Sequence, residues 1–135
     1  INVERGTRMA EQWGKAERLL PLLGHTGATL YVNVEEAGLL CQTEFYDAQT
    51  AAQSLIARGA NRALVTHGPK SAALADEQNC DTAAPPGVMA SRVTGAGDTF
   101  MAAHIAAELR GQQGVAALQF ASNAAAAYVS GKTEG

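Results

Sequence analysis

The 135-residue sequence lacks most of the features that mark specialised protein classes. It has only two cysteines, Cys41 and Cys80, which are too few and too far apart for a disulfide framework or a cysteine metal site. No stretch approaches the roughly 18 consecutive apolar residues of a membrane-spanning helix, and no signal peptide is visible. We therefore expect a cytoplasmic protein that does not bind a membrane.

The chain also lacks a large excess of positive or negative charge. The chain has 10 basic and 13 acidic residues, a net charge of −3, and no run of like charges. Nucleic acids and anionic lipids are bound by clustered lysine and arginine, so no nucleic-acid partner is expected. A small molecule is the better candidate.

Short apolar segments alternate with stretches of helical periodicity. This alternation predicts an α/β fold with a mostly parallel sheet and helices on its faces. No repeat or linker divides the chain, so a single domain is expected over residues 1–135. The pattern predicts strands over residues 1–4, 28–32, 63–66 and 72–75, the last antiparallel, a loop over 76–87, and helices over 9–23, from 48, from 97 and over 115–129.

Two of these helices have marked features in the sequence. In the first, Asp47 is a suitable N-cap and Gly59 fits the position just after the C-cap, with one apolar stripe formed by Ala48, Ala51, Ala52 and Leu55. In the second, the spacing predicts a buried stripe of Met101, Ile105 and Leu109.

The second helix begins within the most informative segment, which is Thr94-Gly95-Ala96-Gly97-Asp98-Thr99-Phe100. Unpaired N–H groups and the helix dipole both favour an anion at a helix N-terminus. A carboxylate placed there repels phosphate, so we expect it to have a role in the chemistry. The natural role is to accept a proton from a hydroxyl that attacks phosphorus. The alternative is that Asp98 is an ordinary first-turn acid that complements the dipole.

This segment does not match two common nucleotide-binding motifs. No Gly-Lys-Ser/Thr closes it, which argues against a Walker A loop. Phe100 stands where the third glycine of a dinucleotide fingerprint belongs, which argues against a nicotinamide-dependent oxidoreductase.

Thr94 to Asp98 instead resemble the second signature of the ribokinase-like (PfkB) family of carbohydrate and nucleoside kinases. Arg92 replaces the usual leading Asp, a departure similar to pseudouridine-kinase-like members. Two further elements occur in the family's order. Asn33-Val34-Glu35-Glu36-Ala37 resembles its Asn-x-x-Glu-Ala element, and Val65-Thr66-His67-Gly68 resembles its Thr-x-Gly element.

The resemblance implies the C-terminal half of a three-layer αβα, Rossmann-like fold and a longer kinase whose other half carries the sugar pocket and lid. Residues 1–135 alone are then expected to show little or no turnover. Asp98 is implied as the catalytic base. The backbone N–H groups of Gly95, Ala96 and Gly97 are implied as an anion hole for the transferred phosphoryl group.

The other two elements are implied to bind magnesium and nucleotide. Glu36 would hold Mg²⁺ through water, and Asn33 would contact phosphate or the same hydration shell. Alternatively, Asn33 caps a short helix and Glu36 is a solvated first-turn acid.

Thr66 and Gly68 would line the nucleotide, unless they form an ordinary strand exit. Asn123 would lie near the adenine, unless it is a surface residue of its helix.

The implied ligands are ATP, Mg²⁺ and a sugar or nucleoside acceptor, and the resemblance allows a homodimer of the full-length protein. The family's monovalent-cation site is in doubt because Arg92 replaces the leading Asp. The alternative function is a nucleotide-binding sensor or pseudokinase without turnover. The presence of Asp98 favours the kinase.

Overall fold

The structure is a computed structural model that describes residues 2–3, 27–86 and 96–130. In these residues the strands are β1 (Asn2–Val3), β2 (Thr29–Asn33), β3 (Arg62–His67), β4 (Lys70–Ala75) and β5 (Cys80–Ala83). The helices are α1 (Val34–Cys41), α2 (Ala48–Ala57), α3 (Ala96–Leu109) and α4 (Gly114–Val129). The strands form one sheet in the order β1-β2-β3-β4-β5.

The sheet is mixed, and the connections explain why. The chain runs from β2 to β3 through α1 and α2, a crossover long enough to make these two strands parallel. Short turns join β3 to β4 and β4 to β5, so those pairs are antiparallel, as is β1 with β2. The α/β class is confirmed, but within the described residues only β2 and β3 form a parallel pair.

Helices cover both faces of the sheet. Successive strand residues point to opposite faces, so Leu30 and Val32 pack with the residues of α1 and α2, whereas Tyr31 packs on the other side with α3 and α4. Leu64 and Leu74 lie in the same cluster as Tyr31. The predicted three-layer αβα arrangement is therefore confirmed.

Local sequence signals define α2 as predicted. The Asp47 carboxylate accepts a hydrogen bond from the Thr50 N–H at 2.6 Å between Oδ1 and N. All four residues of the expected stripe are buried. Gly59 follows the C-cap with a φ of 117°, a left-handed conformation that glycine adopts without strain.

Two predictions were wrong. The buried face of α3 consists of Phe100, His104 and Ala107, and Leu109 is 83% exposed. Because apolar residues lie on most sides of α3, its sequence does not specify one face. The expected loop after β4 contains β5, which pairs with β4 beyond a turn where Asp76 Oδ1 accepts from the N–H groups of residues 78 and 79 at 2.8 Å each.

The helix predicted over residues 9–23 lies outside the described residues. Of the helices in the described ranges, none is long and apolar enough to cross a lipid bilayer.

Candidate active site

The parallel pair of strands brings two of the candidate residues together. Asn33 and Thr66 are register partners at the C-terminal ends of β2 and β3. Ligands of α/β sheets bind at this edge, where the strands end and helices begin. Asn33 is also the N-cap of α1, so the chain turns into a helix directly after it.

Asn33 and Glu36 form a capping box at the start of α1. Asn33 Oδ1 accepts from the Glu36 N–H at 2.7 Å, and Glu36 Oε1 accepts from the Asn33 N–H at 3.0 Å. The helix-cap interpretation of Asn33 is therefore right. The same two bonds fix the direction of the Glu36 carboxylate.

The N-terminus of α3 reaches the same edge of the sheet and completes a cleft of about 170 Å³. Four elements contribute to it: β2, β3, α1 and the first two turns of α3. The predicted site residues that line it are Asn33, Glu36, Thr66, Gly97 and Asp98. Five further residues of the described ranges line it: Tyr31, Val32, Leu64, Phe100 and Met101.

Gly97 leaves its side of the cleft open. A Cβ placed on it would meet no atom from elsewhere in the described residues within 4 Å, so packing within them does not require a glycine there. The first N–H groups of a helix have no partner within the helix and bind anions readily. An oxyanion could therefore lie directly against the backbone at Gly97, beside the exposed carboxylate of Asp98.

The cleft's donor set is compatible with magnesium bound together with phosphate. Its two carboxylates come from Glu36 and Asp98. Across residues 27–86 and 96–130, no three His, Cys, Asp or Glu side chains gather as a ready-made metal cage. Mg²⁺ usually takes one or two protein carboxylates and completes its octahedron with water and substrate phosphates.

Gly68, Asn123 and Ala96 are not among the residues that line the cleft. Gly68 is in the turn between β3 and β4, with a φ of 55°. Asn123 is exposed on α4 and accepts a hydrogen bond from Gln119 at 3.1 Å. Ala96 is the first residue of α3, next to Gly97. Gly95 lies outside the described residues.

Sequence reasoning missed a buried polar pair behind the cleft. Tyr31 Oη and His104 Nδ1 are 2.8 Å apart and hydrogen-bonded. His104 is fully buried, and its partner is 73 residues away in the sequence. The only available signal was the strand alternation, which places Tyr31 on the opposite face from Leu30 and Val32.

The geometry agrees with the comparison with known protein families. The model of the pfkB family carbohydrate kinase matches residues 9–133. The chain belongs to this family. No curated protein matches the sequence.

Solved structures of kinases share the fold. A ribokinase from Thermotoga maritima is 26% identical over 84% of this chain and 38% of its own, with a TM-score of 0.71. Ribokinase from Arabidopsis thaliana, complexed with ribose and ATP, is 28% identical over 75% of this chain and 34% of its own, with a TM-score of 0.67.

A third structure, described as a ribokinase II from Escherichia coli in complex with ATP and Mg²⁺, is 25% identical over 94% of this chain and 40% of its own, with a TM-score of 0.69. This pfkB family chain therefore spans two fifths or less of the length of these three structures.

Proposed function

We propose that this pfkB family chain is the C-terminal, nucleotide-binding and catalytic half of a kinase that phosphorylates a hydroxyl group of a sugar or nucleoside with ATP. The observation that carries the proposal is the convergence of Asn33, Glu36, Thr66, Gly97 and Asp98 on one cleft from four elements. The five residues lie in the three segments that resemble family motifs, and the start of α3 brings the third segment to the edge where the first two meet.

The terminal phosphoryl group binds at the start of α3. Backbone N–H groups of the first turn donate to its equatorial oxygens, where negative charge accumulates during transfer. The open side of Gly97 allows this close approach. The positive end of the helix dipole adds to the attraction.

Asp98 acts as the general base. Its carboxylate lines the cleft and is exposed, so a substrate hydroxyl can reach it. As the hydroxyl oxygen attacks the γ-phosphorus, Asp98 accepts the proton, the new oxygen–phosphorus bond forms, and the bond to the β-phosphate oxygen breaks with ADP as the leaving group.

Glu36 and Asn33 bind the metal-phosphate end of the nucleotide. When bound, Mg²⁺ offsets the negative charge of the phosphates. The capping box aims the Glu36 carboxylate. Glu36 would hold Mg²⁺ through a metal-bound water, and the Asn33 amide group would donate to a phosphate oxygen. Use of ATP is supported by the two family relatives that were solved with ATP.

The rest of the longer protein supplies the acceptor pocket and its lid. Proximity of the acceptor and exclusion of water both require these parts, so residues 1–135 alone are expected to be inactive. We infer that residues 1–135 form a single domain of this larger kinase.

The test is acceptor-dependent phosphoryl transfer by the full-length protein. It is incubated with ATP and MgCl₂ and with ribose, fructose, ketohexose derivatives, adenosine or pseudouridine in turn, and ADP and the phosphate ester are quantified. ADP formation that depends on one acceptor supports the proposal. Saturable ATP binding without transfer to any acceptor favours the nucleotide sensor instead.

A further inference from the structure

One face of α3 connects the cleft with the interior of the molecule. Gly97, Met101, His104 and Glu108 follow each other at spacings of four, three and four residues, so they form a single stripe along the helix. The first two line the cleft. The last two make polar contacts with β2 and β3.

The first of these contacts joins His104 to Tyr31. Both side chains are buried, at 0% and 6% exposure, and their rings meet edge to face with centroids 5.7 Å apart. Breaking the bond of 2.8 Å between Tyr31 Oη and His104 Nδ1 would remove a hydrogen bond between two buried side chains, which is unfavourable. Tyr31 itself lines the cleft, two residues before Asn33.

The second contact lies further along α3. Glu108 pairs with the Arg62 guanidinium, and Arg62 Nη1 donates to Thr29 Oγ1 at 3.1 Å. Arg62 and Thr29 are register partners on β3 and β2. The Glu108 Oε2 atom that pairs with Arg62 also lies 3.8 Å from His104 Nε2, so Glu108 links the two contacts.

Two contacts on one stripe fix a helix in two ways. They prevent it from sliding along the sheet, and they prevent it from rotating about its own axis. Asp98 lies six residues, or roughly 9 Å along the axis, before His104. A rotation of α3 would move Gly97 and Asp98 relative to Asn33, Glu36 and Thr66.

We propose that Tyr31 and His104, supported by Glu108 and Arg62, are positioning residues that set the rotation of α3 and so the direction in which Gly97 and Asp98 face the phosphoryl group. This inference rests on the proposed function of the cleft. Tyr31 acts through His104, and its hydroxyl does not contact substrate.

The first test removes the bond from the helix side, in the full-length protein. His104→Phe keeps the ring but loses both nitrogens, and we expect kcat to fall roughly tenfold with KM for ATP within about twofold. His104→Asn places an amide oxygen or NH₂ group where Nδ1 lies, and it should restore most of kcat. Ser122→Ala, a change at another buried polar residue, is the matched control and should leave kcat unchanged.

The second test removes the bond from the strand side. Tyr31→Phe loses one hydroxyl, and it keeps the proposal testable if His104→Phe does not fold. It should lower kcat, and the double variant should be no worse than His104→Phe, because Tyr31→Phe removes only the bond that His104→Phe already lacks. Multiplied losses in the double variant would show a separate contact of the Tyr31 hydroxyl with substrate and would overturn the proposal.

Hydrogen exchange gives a readout that does not depend on activity. Amides of residues 100–103 bond to carbonyls in the first turn of α3, so their exchange reports how firmly that turn is held. We expect faster exchange in His104→Phe and near-normal exchange in His104→Asn. If the wild-type protein transfers no phosphate, the proposed function fails, but the exchange comparison still tests the positioning role. If the amides of His104→Phe exchange as slowly as those of the wild type, the positioning role is overturned.

Discussion

Asn33 and Glu36 exchange two hydrogen bonds across the first turn of α1, and both line the cleft that faces the start of α3. The capping role of these residues is compatible with the proposed ligand-binding role. The cap holds the Glu36 carboxylate in one direction, as the proposed contact with a metal-bound water would need. A substitution that tests the proposed metal role must therefore leave the capping box, and with it the stability of the fold, unchanged.

Glu36→Gln meets this condition, because glutamine also closes a capping box but has no charge. We expect the free energy of unfolding to stay within about 0.5 kcal/mol of wild type. The Mg²⁺ concentration for half-maximal activity should rise roughly ten- to a hundredfold, as for other groups that hold metal-bound water. Asn33→Ala is the contrasting control, since losing the cap should lower stability by about 1 kcal/mol. Unchanged magnesium dependence in Glu36→Gln would remove Glu36 from the metal site.

Asp98→Asn tests the general base. Asparagine is nearly isosteric and remains compatible with the first turn of α3, but it cannot accept the hydroxyl proton. We expect kcat to fall by a factor on the order of 10²–10⁴ with the Kd for ATP largely retained, measured by steady-state kinetics and calorimetry on the full-length protein. An unchanged kcat would make Asp98 an ordinary first-turn acid.

Features that depend on neighbouring residues were predictable from the sequence. The Asp47 cap, the stripe of α2 and the antiparallel return strand β4 follow from local propensity and turn chemistry. The meeting of Asn33 and Thr66 follows from a general rule, because the C-terminal ends of adjacent parallel strands lie side by side.

Features that depend on tertiary packing were not predictable. Strand β5 forms because β4 offers it an edge, and its own residues carry little strand signal. The buried face of α3 includes His104, whose hydrogen-bond partner Tyr31 is 73 residues away. No helical periodicity in the sequence indicates that contact.

Asp47 gives the stability a specific pH dependence. The Thr50 N–H donates to its carboxylate, which lowers the pKa of Asp47 below its ordinary value. A carboxyl group with a lowered pKa stabilises the fold above its unfolded-state pKa of about 4, and this contribution is lost as the pH falls through the folded-state value. Near neutral pH, Asp47→Ala should therefore lower the free energy of unfolding by about 0.5–2 kcal/mol.

Urea unfolding of Asp47→Ala, Asp47→Asn and wild type at several pH values measures this effect. Asparagine caps helices at every pH, so Asp47→Asn should lose little at neutral pH. The deficit of Asp47→Ala relative to wild type should shrink as the pH is lowered below about 4. A deficit that stays constant through this range would show that the charge of Asp47 does not contribute.

Two helical glycines should respond in opposite ways to alanine. At Gly97 a Cβ would meet no atom from elsewhere in the part of the chain that the structure describes, so Gly97→Ala should leave stability unchanged or raise it by up to about 1 kcal/mol through helix propensity. At Gly38 the Cβ would lie 2.7 Å from the backbone oxygen of Thr43, so Gly38→Ala should lower stability by about 1–3 kcal/mol.

Activity should be affected in Gly97→Ala rather than in Gly38→Ala. The methyl group at position 97 would occupy the space in which the phosphoryl oxygens are proposed to approach the backbone. We expect kcat/KM for ATP to fall at least tenfold in Gly97→Ala, a loss of about 1.4 kcal/mol of transition-state binding. Folded Gly38→Ala should retain its activity, since that residue lies outside the lining of the cleft. Wild-type kinetics in Gly97→Ala would mean that no ligand approaches the backbone there, and the phosphoryl site would have to lie elsewhere in the protein.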